Sequence, residues 1–74
     1  MTFDQALRHL QAGAHLKRAA WQSGEEYIFL VTQPTYQQEP VNPYFLIRTQ
    51  EQPALSVFQP TDCDLLANDW TIVA

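Results

Sequence analysis

The run Tyr27-Ile28-Phe29-Leu30-Val31-Thr32 constrains this chain more than any other stretch. It is aromatic, β-branched and almost uninterruptedly apolar, which reads as a strand covered on both faces. Such a strand needs a layer on each side, and only 74 residues are there to supply them. One amphipathic helix can cover one face, and a second subunit can cover the other. A domain of this size buries only about 60–65% of the surface its unfolded chain exposes, so burial shared between copies suits it.

The covering helix is at the start. Phe3, Ala6, Leu7 and Leu10 fall at i, i+3, i+4 and i+7 and form one apolar stripe. Thr2 followed by Gln5 fits a capping box. Asp4 in the first turn, with Arg8 and His9 later, matches the helix dipole, and Gly13 supplies a left-handed stop. His15 to Ala20 reads as a short strand and Trp21 to Gly24 as a turn. Gln33 to Asn42, with Pro34 and Pro40 and no periodicity, reads as a loop. Tyr44 to Thr49 and Leu55 to Gln59 are two more strands, joined by a Gln50–Pro53 hairpin connection. Thr61 and Asp64 have capping-box spacing and open a short helix, whose Leu65 and Leu66 should face the core. Trp70 to Val73 closes the chain as a strand. The fold class is therefore α+β: an N-terminal helix packed on a small antiparallel sheet, with a helical turn before the final strand, in a single domain over 1–74.

Charge excludes some functions. Four basic residues against eight acidic ones leave a net charge of −4, too little positive charge to neutralise a duplex backbone. A nucleotide-sized ligand needs only one or two Arg. The single cysteine, Cys63, rules out an internal disulfide or a Cys-based zinc site. No apolar run nears the ~20 residues of a membrane span, and the start lacks signal-peptide character. The expectation is a cytoplasmic protein without membrane contact.

Catalytic and metal constellations are weak. Cys63 can be drawn against His9 or His15, but Asp62 and Asp64 flank it and oppose a thiolate, and beside two Leu it reads as an inert packed residue. His9 and His15 are six apart across Gly13 and share no helical face. Asp62, Asp64 and Asp69 read as an acidic helix start, without a calcium loop around them. No phosphate loop can be built from Gly13 and Gly24 alone. The remaining signal is Lys17, Arg18, Trp21 and Tyr27 within eleven residues. Trp and Tyr faces can stack on a base, worth about 1–3 kcal/mol each, and Arg offers a bidentate fork to phosphate. The plainer reading of the same residues is a core Trp21 beside ordinary solvated charges.

Two stretches carry a resemblance. The opening runs Thr2-Phe3-Asp4-Gln5-Ala6-Leu7, then Gly13, Arg18 and Trp21, then Tyr27-Ile28-Phe29-Leu30-Val31. The ending is Thr61-x-x-Asp64-Leu65-Leu66-Ala67-Asn68-Asp69-Trp70. Together they resemble the second type of Thoeris anti-defence protein, a phage and prophage family. The resemblance implies a small α+β homotetramer acting as a sponge. It would bind a cyclic nucleotide immune signal, such as glycocyclic ADP-ribose or a cyclic oligonucleotide, without cleaving it, in a pocket between subunits. It implies Trp21 as the stacking residue and Tyr27 as the second aromatic, with Arg18, Thr61 and Asp64 near phosphate or ribose. Neither a cofactor, a metal nor a catalytic residue is expected. The competing readings are a module that binds an immune protein directly and, with no constellation in its favour, a phosphodiesterase.

Overall fold

Thr2 begins the first helix where the capping pattern puts it. In the computed structural model, which describes residues 1–73, α1 spans Phe3–Gln11. The Gln5 side chain accepts the Thr2 backbone N–H at 3.0 Å, and the Thr2 hydroxyl donates to Asp4. Gly13, at φ 97°, takes the left-handed conformation that ends the helix. The strands are β1 His15–Arg18, β2 Glu25–Val31, β3 Thr35–Tyr36, β4 Glu39–Pro40, β5 Tyr44–Thr49, β6 Leu55–Phe58 and β7 Trp70–Val73. A second helix, α2 Asp62–Leu66, precedes β7.

Five strands make one antiparallel sheet in the order β6-β5-β2-β1-β7. The apolar run becomes β2, at the centre of this sheet. The last strand pairs with the first, with Arg18 opposite Trp70 and His15 opposite Val73. The N-terminus joins the same edge: the Met1 amine donates to the Asn68 and Trp70 carbonyls at 3.1 and 2.9 Å. The Trp70 N–H returns to the Met1 carbonyl at 3.1 Å.

Residues paired across antiparallel strands share a face. Leu16 opposite Ile28, Ile28 opposite Ile47, and Leu30 opposite Phe45 therefore define the face toward α1. Ala6 and Leu10 of α1 meet Leu16, Ile28 and Trp70 there, and all five are fully buried. Tyr27, Phe29, Val31, Tyr44, Leu46, Leu55 and Val57 belong to the opposite face by the same alternation. α1 lies on the far side of the sheet from them, and Leu55 and Val57 stay 42% and 65% exposed. Within one protomer the central strand is thus covered on one face only.

Three sequence expectations need correction. Leu65 and Leu66 do not face the core; they are 47% and 86% exposed, and Asp64 is the buried residue of α2. The reason is polar: Asp64 is held inward by hydrogen bonds on both its backbone carbonyl and its carboxylate, and five residues cannot turn two faces to the core. Cys63 is exposed rather than packed. The 33–42 segment is not wholly irregular, because β3 and β4 pair in a two-stranded hairpin. Its two-residue turn is Gln37-Gln38, with φ 50° and 71°. That geometry ordinarily takes Asn or Gly, so the sequence carries no hairpin signal.

Trp70 is the largest fully buried side chain, and its indole N–H donates to the Asp64 carbonyl at 3.0 Å. Trp70→Ala is expected to cost about 3–5 kcal/mol, enough to unfold so small a domain. Trp70→Phe keeps most of the apolar volume but orphans the carbonyl, for a smaller loss of about 1–3 kcal/mol. Urea titration followed by far-UV circular dichroism orders the two variants. Equal, near-native stability for both would place Trp70 outside the core.

Candidate functional site

Arg18 is the hub of the polar structure at the end of β1. Its Nε donates to Asp69 Oδ1 at 3.0 Å and its Nη1 donates to Asp64 Oδ1 at 3.1 Å. The other Asp69 oxygen accepts the Ala20 N–H at 3.0 Å. The other Asp64 oxygen accepts the Thr61 N–H at 2.9 Å and the Thr61 hydroxyl at 3.1 Å. Each carboxylate oxygen therefore has a donor, which is what a charged group needs before it can be buried. The network fastens β1, α2 and the start of β7 to one another.

The expected site residues divide between two places. Arg18, Thr61 and Asp64 come together, but they bind one another. Of the acidic group Asp62, Asp64 and Asp69, the last two grip Arg18 and Asp62 stays exposed. Asp69 is the fourth member, and the signal for it in the sequence was its place in the closing motif. Trp21 lies beside them, its N–H on the Arg18 carbonyl at 3.1 Å. Its indole is half-buried and meets Trp70 edge to face at 5.5 Å and Phe58 at 5.9 Å. Tyr27 is elsewhere. It occupies the open sheet face and stacks on His15, centroids 4.2 Å apart and planes 11° apart. Trp21 packs on the helix-side core, so the two aromatics belong to opposite faces of the sheet. They cannot sandwich one ring within a single protomer. Lys17 and Arg18 likewise alternate: Lys17 is exposed on the open side while Arg18 turns inward.

A concave surface is found at a different place. A cavity of about 260 Å³ lies along α1, lined by Met1, Gln5, Arg8 and His9. Gln5, Arg8 and His9 at i, i+3 and i+4 share one helix flank, a grouping that the readings of Arg8 as a dipole charge and of His9 as a partner for Cys63 or His15 do not include. Among the described residues no three His, Cys, Asp or Glu side chains gather as metal ligands. No helix is long and apolar enough to cross a membrane.

The network sets a pH dependence. The hydrogen bond from Arg18 holds the Asp69 carboxyl below its ordinary value, and the two carboxylates, Asp69 first, raise the guanidinium of Arg18 further. A carboxyl depressed in the folded state contributes stability that is present above its unfolded pKa and lost as pH falls through the folded one. The wild type should therefore lose stability below about pH 4, the ordinary Asp range. Asp69→Asn should be less stable near neutrality and show a shallower acid decline. Urea melts at neutral and acid pH measure this, and an unchanged slope in the variant would contradict it.

A family model described as Thoeris anti-defense 2-like domain matches residues 1–73. A search of curated proteins gave no match.

Proposed function

Because the chain belongs to the Thoeris anti-defense 2-like family, and its role is accordingly anti-defence, we propose that it sequesters a cyclic nucleotide immune signal without cleaving it. The ligand is a molecule such as glycocyclic ADP-ribose or a cyclic oligonucleotide, and the setting is the cytoplasm of the infected bacterium. Family membership over essentially the whole chain, with the Trp21 and Arg18 positions of the family-like opening intact, is the observation that carries this reading.

The chemistry of the chain supports holding rather than turnover. Binding requires pre-set stacking and hydrogen-bond groups, not a nucleophile. Trp21 is pre-set, because Trp70 and Phe58 fix its ring by edge contacts and leave part of the indole exposed. Arg18, whose carbonyl accepts the Trp21 backbone N–H, already has its side chain satisfied by Asp64 and Asp69, so little reorganises there when a guest arrives.

Assembly belongs to the same reading. The open face carries seven apolar residues from β2, β5 and β6, and a second copy of the chain covers it, in a homotetramer as in the family. Since Trp21 and Tyr27 sit on opposite faces, a site using both draws them from different protomers.

Calorimetry with cyclic ADP-ribose isomers and cyclic dinucleotides tests the function. Binding of at least one is expected, with the ligand recovered intact by mass spectrometry after long incubation. Trp21→Leu keeps apolar packing against Trp70 and removes the stacking face, worth about 1–3 kcal/mol or roughly tenfold or more in affinity. No binding by any of these compounds, or conversion of the ligand to new products, contradicts the proposal. Assembly is tested separately by analytical ultracentrifugation. Val57→Lys should shift the protein to smaller species while its circular dichroism stays native, and a monomeric wild type would remove the second copy from the account.

A further inference from the structure

Of the four basic residues, three lie away from α1. Arg18 is bound by two carboxylates, Arg48 lies 3.9 Å from Glu26, and Lys17 is on the open sheet face. Arg8 lines a cavity, and among the described residues its guanidinium makes neither an ion pair nor a hydrogen bond. Two other polar side chains of that cavity can donate. Gln5 spends its carbonyl oxygen on the Thr2 N–H, which leaves its amide NH₂ to donate. His9 offers a ring N–H, or two when protonated. No carboxylate lines the cavity. Asp4, in the preceding turn, is engaged first by the Thr2 hydroxyl and more weakly by the charge of Arg8, both of which lower its pKa, but the two side chains form no ion pair within 4.0 Å.

We infer that this groove along α1 is an anion subsite, and that the anion is a phosphate or pyrophosphate group of a small phosphorylated ligand. A planar guanidinium next to two further donors suits a phosphate, which presents several acceptor oxygens at once. The volume of about 260 Å³ admits a phosphate or pyrophosphate with part of a sugar, but it is below the usual 300–1,000 Å³ of a site that encloses a whole drug-sized molecule. Placement matters as well. In a chain of net charge −4, an anion needs a local concentration of donors, and screening within about 8 Å at physiological salt lets a local site outweigh distant acids. For a cyclic nucleotide the assignment rests on the function proposed above. It moves the phosphate contact from Arg18, whose Nε and Nη1 are already occupied, to Arg8.

The test uses the full chain labelled with ¹⁵N, with inorganic pyrophosphate as probe and the panel of cyclic nucleotides alongside. Pyrophosphate should shift the backbone amides of residues 5–9 in a saturable, salt-sensitive way. Arg8→Gln should abolish that response, His9→Gln should weaken it, and Lys17→Gln, an equal charge change on the other side of the sheet, should leave it intact. Any cyclic nucleotide that binds should bind Arg8→Gln about tenfold or more weakly, the loss of one charged hydrogen-bonding group. Absent shifts at residues 5–9, or equal effects of Arg8→Gln and Lys17→Gln, would overturn the inference. Cyclic nucleotides binding Arg8→Gln as tightly as wild type would also overturn it while leaving the sequestration reading intact. Pyrophosphate in the groove with no cyclic nucleotide bound anywhere would do the reverse.

Discussion

The grip of Asp64 and Asp69 on the Arg18 guanidinium is the interaction on which the rest depends. Among the described residues five side chains are fully buried, so the apolar core alone defines little. The ion network ties the end of β1 to the segment that leads into β7. It sits directly against Trp70, which places its indole under α1 and gives its N–H to the Asp64 carbonyl. The Met1 contacts then close the same edge from the other terminus. Breaking one partner would leave a charge short of its donor or acceptor, which costs far more than the pair contributes over an apolar replacement. The network thus holds the segment before β7 against the end of β1.

Much of this was legible in the residues. The stripe Phe3, Ala6, Leu7 and Leu10 has a single helical solution, and the two capping pairs mark both helix starts. Alternation and β-branching mark β2, β5 and β6 to within a residue or two. The illegible parts have particular causes. Leu65 and Leu66 look like core by composition, but the buried side of α2 is set by hydrogen bonds to Asp64 that no local pattern encodes. The Gln37-Gln38 turn lacks the Asn or Gly that announces such a hairpin. Ion partners 46 and 51 residues apart, Arg18 with Asp64 and Asp69, depend on topology and not on spacing. For the site, the sequence identified an aromatic–basic cluster, and the sheet then dealt it to two faces because neighbouring residues in a strand point oppositely. The cavity at Arg8 was hidden for the converse reason: residues ordinary for a helix end became its lining only once the fold brought Met1 alongside.

The architecture joins a tied edge to an unfinished face. Around Arg18 nearly every polar group is spoken for, and Trp21 is held by its aromatic neighbours, so that region is rigid. Across the sheet, Tyr27, Phe29, Leu46 and Val57 form an apolar surface without cover in the protomer. On the proposed reading a second copy completes the site, an arrangement suited to enclosing a small molecule rather than to cycling one through bond cleavage.

The most direct measurement is mass spectrometry of small molecules released by heat from the protein purified out of phage-infected cells that carry a Thoeris system. The account predicts one intact cyclic nucleotide, in stoichiometric amount, absent from protein made in uninfected cells. Protein that emerges empty, or carrying only linear cleavage products, would contradict it.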